Sequence, residues 1–331
     1  MVDIKTDFYK TIDNLQVQPH TLLYQGGDYT KDARITIIIT TFNRPYLLKE
    51  ALDSAANQRT SYMYNILVVD NFSDTFLEPD YFKDAKFNNV KYVRNECNLG
   101  MFGNMNQGVA ISETDYLCFL HDDDLYSPYF VEKVIDTIDS KKYKAFHIGI
   151  SKFANGEEII PQLQTDLEFR KLEEWQMVFR GPGAPTGLVV KRTVFLKLGG
   201  FNLDYHPTSD YCYCVLIAHN FDYFITDAVL CYYRVAENES MKPTTLSTFV
   251  HNDYYLRDTI LKSYNINNTL IKLIQDYMLF DQIKVLRNSY NPTFAFEDTD
   301  ILKRHRKRGY ISYIITRLVI EFLIRKRKWI K

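Results

Sequence analysis

The sequence predicts an α/β fold built on a mostly parallel sheet, and three observations carry that expectation. β-branched apolar runs recur along the first half of the chain. Segments of helical spacing separate them, and two of the runs close on acidic residues.

RITIIITTFN (34–43) is a buried strand by its β-branched run. Pro45 suits a helix's first turn, and Leu47, Leu48, Ala51, Leu52 and Ala55 keep helical spacing to about Gln58. The alternation continues with strands YNILVVD (64–70) and VKYVR (90–94), a helix over 102–111, and strand TDYLCFLH (114–121). A helix opened by Ser127 and Pro128 then runs to about Asp139. Strands separated by helices of about 10 to 15 residues imply parallel pairing with helices on both faces. Ligands of such sheets sit outside the carboxyl ends of the strands.

After Lys144 the pattern is mixed. Short strands are predicted at 145–150, 186–191 and 223–234, with helical segments at 172–179 and 210–219. Residues 243–288 have helical periodicity. Four regions follow: an extension over 1–32, an α/β domain over 33–240, a helical region over 241–300 and a basic amphipathic segment over 301–331.

With 331 residues, 46% hydrophobic and 24% charged, the composition is that of a globular chain and excludes disordered and fibrous classes. The net charge of -1 conceals an asymmetry: residues 303–331 hold eleven Lys and Arg against Glu321 alone. An anionic partner is expected there. Apolar residues Ile311, Ile314, Ile315, Leu318, Phe322 and Leu323 share one broad face, too short to span a bilayer but suited to lie in its surface. The density of Ile and Leu disfavours nucleic acid, and packing on a partner subunit, including a second copy, is the other reading. The five cysteines are odd in number with no CxxC spacing, which fits a reducing compartment. No signal-like apolar stretch opens the chain. The expected location is cytoplasmic, peripheral on the inner face of the cell membrane.

Two clusters carry candidate chemistry. Asp122, Asp123 and Asp124 end an apolar run, where adjacent carboxylates repel unless a cation, cationic side chains or water compensates. Aspartate runs are common on surfaces, but placement at a strand end favours a site for a hard divalent ion and substrate phosphates. In VVDNFSD (68–74), Asp70 and Asn71 can hydrogen-bond a base or ribose, or simply form an Asx turn.

Together with TTFNRPYLLKEALDSAANQ (40–58), NECNLGMFGNMNQGVA (95–110), DYLCFLHDDDLYSPYFVEK (115–133), GLVVKRTVFLKLGGFN (187–202) and SDYCYCVLIA (209–218), these segments resemble glycosyltransferase family 2. The resemblance covers 34–234 and implies a GT-A, Rossmann-like sheet flanked by helices, with a helical C-terminal region. It further implies an inverting enzyme that moves a sugar from a UDP- or dTDP-sugar to a hydroxyl of a lipid-linked or growing cell-surface glycan. Asp123, Asp122 and Asp124 become the DXD-type site for Mn2+ or Mg2+, Asp122 also reaching the ribose. Thr40, Phe42 and Arg44 fall beside the base, Asp70 and Asn71 at its edge and the ribose, and Asn98 and Asn106 among the nucleotide contacts. Asp210 takes the position of the catalytic base. One base and one metal complete such a transfer. Departures are His121 where relatives often have an aspartate, Asn71 for a second aspartate, Met105 for an arginine, and Ala236 for a late histidine. QxxRW is absent, which argues against a processive synthase. The alternatives are a catalytically silent sugar-nucleotide binder or scaffold, and another metal-dependent nucleotide enzyme such as a nucleotidyltransferase.

Overall fold

The computed structural model describes residues 8–10, 13, 15–161, 166–179, 184–235, 242–289, 291–297, 301, 302 and 318. Two compact units divide the chain. One joins Thr11–Glu173 to Pro182–Ala236, and the other joins Met1–Lys10, Glu174–Gly181 and Glu237–Lys331.

The first unit holds one sheet. Its strands are β1 (His20–Gln25), β2 (Ile35–Thr41), β3 (Asn65–Asp70), β4 (Val90–Asn95), β5 (Tyr116–His121), β6 (Leu125–Tyr126), β7 (Ala145–Ala154), β8 (Arg170–Lys171), β9 (Leu188–Lys191) and β10 (Phe224–Val235). Their order is β1-β4-β3-β2-β5-β9-β7-β10-β6, with β8 beside β10. β4, β3, β2 and β5 are mutually parallel, as the alternation with helices requires. β9 runs antiparallel to both β5 and β7, so β7 regains the direction of β5, and β10 pairs with β7 in parallel. All six of these parallel strands therefore end at one edge.

β2 and β3 are buried at every position, which explains sequences of continuous rather than alternating apolarity. Helix α1 (Pro45–Ala56) covers them with Leu48, Ala51, Leu52 and Ala55. Helix α2 (Gly100–Ile111) approaches so closely that a Cβ on Gly108 would stand 2.5 Å from Ile38 Cγ2. Real contacts are never that short, so only glycine fits there. α2 is also held by polar bonds: Asn104 Nδ2 donates to Val69 O at 2.8 Å, and Gln107 exchanges two 2.9 Å bonds with the backbone of Gln18. Helices α3 (Phe130–Lys141), α4 (Arg192–Lys197) and α5 (Ser209–Asn220) complete the unit.

In the second unit, α6 (Pro243–Ser263) and α7 (Asn268–Ser289) share an apolar cluster of Leu246, Val250, Tyr254, Leu279 and Leu286, joined by Phe294, Phe296 and Ile301. Within it, Asp253 Oδ2 accepts from Gln282 Nε2 at 2.7 Å and lies 3.4 Å from Arg257. Burial pushes the Asp253 carboxyl up to about 6, against the opposing pull of Arg257.

Several elements differ from expectation. The extension over 1–32 contains β1, whose irregular burial pattern hides it from a period-two search. The segment expected to be helical over 172–179 is a 3-10 turn at Glu174–Val178. The stretch 243–288 breaks into two helices at Asn265, which adopts a left-handed φ of 56°. No helix among the described residues is long and apolar enough to cross a membrane. The basic amphipathic segment, apart from Ile301, Leu302 and Leu318, lies outside the described residues.

Candidate active site

Strand register assembles the site. Thr40 of β2 stands beside His121 of β5, and Thr41 stands beside Asp70 of β3. Asp122, Asp123 and Asp124 follow β5 directly, so they project at the carboxyl edge shared by the parallel strands.

The three aspartates have different surroundings. Asp122 is 1% exposed; its Oδ2 accepts from Thr41 Oγ1 at 2.7 Å, and its Oδ1 lies 2.7 Å from Arg44 Nη2. That second approach brings charge to Oδ1 without an aligned N–H, leaving this buried oxygen lacking a directed hydrogen bond. The other arm of Arg44, Nη1, donates to Asp123 Oδ2 at 2.9 Å. Arg44 thus spans the two carboxylates. Asp124 has both oxygens engaged internally: Thr186 Oγ1 donates at 2.6 Å and the Arg234 backbone N–H at 3.0 Å. Asp124 therefore braces the turn, as a supporting member of the aspartate run. Burial pushes the Asp122 carboxyl up to about 7, with Arg44 opposing, and pushes Asp124 up to about 8, with Asp123 adding to the rise. Burial lowers His121, with Asp123 opposing.

Arg234 locks the aspartate turn from the far half of the sheet. Its Nε donates to Asp123 O at 2.7 Å, its Nη1 to Asn155 Oδ1 at 2.8 Å, and its Nη2 pairs with Glu50 of α1. The guanidinium also lies 4.6 Å from the Phe153 ring centroid. Sequence reasoning did not single out Arg234, Thr41 or Thr186. For Arg234 a signal existed: an arginine inside the apolar strand LCYYRV must be buried, and a buried charge needs fixed partners.

The neighbouring loops are laced together. Asp70 is 1% exposed and accepts from Ser73 N at 2.6 Å and Tyr92 Oη at 3.0 Å. Burial raises its carboxyl despite those bonds. Asp70 therefore shapes the turn with both oxygens engaged. Asn71 Nδ2 donates to Asn98 Oδ1 at 2.8 Å, and Asn71 Oδ1 accepts from Leu99 N at 2.8 Å. Asn98 also accepts from Gly100 N, so these two residues join the β3 turn to α2. Phe42 and Phe72 are each 42% exposed on adjacent turns, Phe72 at a left-handed φ of 69° with the Arg94 guanidinium 4.7 Å from its ring. Thr40 is buried.

Asn106 is buried, and both ends of its amide bond the Phe201 backbone, at 2.8 and 2.9 Å. That clamp, with Phe102 packed against Phe201 and His206, fixes residues 201–206 on the N-terminal half of α2. The same segment leads into α5, where Asp210 is the second residue and half-buried, its Oδ1 accepting from Tyr211 N at 2.8 Å. A carboxylate in a helix's first turn is favoured by the macrodipole. Trp175 and Tyr205 are buried, so neither offers a ring face for a sugar. Residues 180–183, and Ala236, lie outside the described residues.

Among the described residues no three His, Cys, Asp or Glu side chains converge as a metal-binding group. The available donor set is Asp122 and Asp123. Two carboxylates on one turn, one with a buried oxygen lacking a directed bond, fit a Mg2+ or Mn2+ ion that completes its shell with water and substrate phosphate.

A mostly parallel sheet with carboxylates at its shared edge, braced across from β10, is the arrangement expected of a GT-A-type glycosyltransferase. Residues 36–195 match the model of glycosyl transferase family 2. An "Uncharacterized glycosyltransferase" of Haemophilus influenzae is 27% identical over 180 residues, 54% of this chain and 59% of that protein. The hyaluronan synthase of Pasteurella multocida is 27% identical over 146 residues, 40% of this chain and 15% of its own length. The chain thus spans under two thirds of either relative. The crystal structure of S. aureus TarS in complex with UDP superposes with a TM-score of 0.52 at 14% identity, covering 89% of this chain and 92% of that one. TarS in complex with UDP-GlcNAc gives 0.50 at 14% identity, over 88% and 92%. The match to glycosyltransferase family 2 thus covers residues 36–195, just under half of the chain.

Proposed function

We propose that this protein is an inverting glycosyltransferase using a UDP- or dTDP-sugar donor with Mn2+ or Mg2+, and a hydroxyl of a lipid-linked or growing cell-surface glycan as acceptor. The carrying observation is the convergence of Asp122 and Asp123 at the edge where β2, β3, β4 and β5 end. The UDP and UDP-GlcNAc bound in the TarS structures support a nucleotide-sugar donor.

The division of labour follows from the side chains. Asp122 and Asp123 would hold the divalent ion, which when bound offsets negative charge growing on the leaving diphosphate. The exposed Phe42 offers a face to the base, while Asn71 and Asn98 hold the turn around it. Asp210 takes the proton of the acceptor hydroxyl as its oxygen bonds to the anomeric carbon. The bond from that carbon to the diphosphate oxygen breaks as this one forms, and the nucleoside diphosphate leaves with the electron pair. Attack opposite the leaving group inverts the configuration.

The basic segment over 303–331 would anchor the enzyme to the anionic inner face of the membrane, each Lys or Arg near the surface contributing on the order of 1 kcal/mol. The test is a thermal-shift screen of UDP-, dTDP- and GDP-sugars with and without Mn2+, since a ligand of the native state raises apparent stability. Stabilisation by one nucleotide class only with Mn2+ is expected. Asp210→Asn should abolish transfer and keep that stabilisation, whereas retained transfer would remove Asp210 as the base.

A further inference from the structure

We propose that Arg44 is a resident counter-cation of the aspartate pair, which yields its place to the divalent ion and then meets the donor diphosphate. This rests on the metal-dependent reading above. The guanidinium nitrogens stand 2.7 Å from Asp122 Oδ1 and 2.9 Å from Asp123 Oδ2. Those are the oxygens that a hard cation must reach at about 2.0 to 2.2 Å for Mg2+. An ion and Arg44 compete for those two oxygens, so occupancy of them by one excludes the other.

The hold is strong enough to matter and weak enough to exchange. Arg44 supplies the positive charge that keeps two adjacent carboxylates together, one of them fully buried. One of its two contacts lacks an aligned hydrogen bond. Arg44 is also 38% exposed and sits on the short connection between β2 and α1, directly after Asn43 in its left-handed conformation. An arginine so placed can swing outward without moving a strand. Once expelled, the guanidinium is a planar fork beside the position of two phosphates, the geometry that Arg recognises best.

Two consequences follow. Metal alone binds weakly, because it must displace an ion pair. Metal and nucleotide bind with positive coupling, because the diphosphate receives the guanidinium that the metal released, and such coupling is reciprocal. Mn2+ affinity is measured by electron paramagnetic resonance of free Mn2+, without and with UDP, after correction for Mn2+ held by UDP in solution. Arg44→Gln is expected to tighten Mn2+ binding without UDP on the order of tenfold and to reduce the UDP–Mn2+ coupling below that of the wild type, the remainder coming from phosphate bonded directly to the ion. Arg44→Lys keeps a charge that cannot span both carboxylates, so its Mn2+ affinity should fall between the two; it carries the test if the glutamine variant does not fold. Variants that bind Mn2+ no more tightly than the wild type, with coupling unchanged, overturn the exchange. Asp123→Asn separates the two ideas. If it abolishes Mn2+ binding while the Arg44 variants change nothing, only the exchange fails; if Mn2+ binding survives it, the metal site itself is wrong.

Discussion

Replacing Arg234 by Met removes the side-chain clasp on the aspartate turn while keeping the backbone bond to Asp124. Three donors disappear: Nε to Asp123 O at 2.7 Å, Nη1 to Asn155 Oδ1 at 2.8 Å, and the contact with Glu50. A net bond from a charged donor contributes about 1.5 kcal/mol at the low end, so the first two amount to about 3 kcal/mol. Glu50 is 53% exposed, so its pair with Arg234 adds only about 0.5 kcal/mol. The expected loss is therefore about 3 to 4 kcal/mol, read by urea unfolding, with Arg234→Lys intermediate because an ammonium keeps one of the three bonds. Freeing the Asp123 carbonyl also loosens the carboxylates that it carries. Mn2+-dependent UDP affinity, measured by titration calorimetry on the folded variant, should fall on the order of ten- to hundredfold, as for other residues that orient metal ligands. A stability loss under about 1 kcal/mol together with unchanged UDP affinity would refute the clasp.

Two further outcomes are expected. Phe72→Gly should lower stability by no more than about 0.5 kcal/mol, since the strain of a bulky residue at positive φ, about 1 to 2 kcal/mol, offsets the lost ring contact; a loss above about 1.5 kcal/mol in a denaturant titration would contradict this. Asp253 concerns pH. Its folded pKa of about 6 lies above the ordinary 3.8, so the native state binds the extra proton, and the resulting stabilisation is full below about pH 4 and lost as pH rises to about 6. That amounts to about 3 kcal/mol by linkage, and Asp253→Asn should flatten stability across the same range.

The parallel strands were legible because total burial leaves unbroken β-branched runs, and the strand-end position of Asp122 follows from that pattern. Strand β1 was hidden by its irregular burial, and β6 and β8 by a length of two residues. Side-chain partnerships were harder to read because they are distant in sequence. Arg44 meets Asp123 across 79 positions, Asn106 meets Phe201 across 95, and Arg234 reaches Asp123 across 111. Composition and spacing identify a charged or amide side chain but not which distant backbone will consume its hydrogen bonds. Asp124 illustrates the limit: nothing near it in sequence points to Thr186, 62 positions away, as its partner.

The reversal at β9 has a consequence for how such a protein can diversify. Because β9 restores the direction of β5 to β7 and β10, the chain leaves Ala154 and Val235 at the same rim as Asp122. Extra residues spliced in at those two exits would burden the fold only through loop closure, about 0.6 kcal/mol per doubling of length. New surface can therefore be grown opposite the carboxylates with β2, β3 and β4 untouched. The architecture thus separates a half whose parallel strands carry the carboxylates from a half that tolerates added length at its exits.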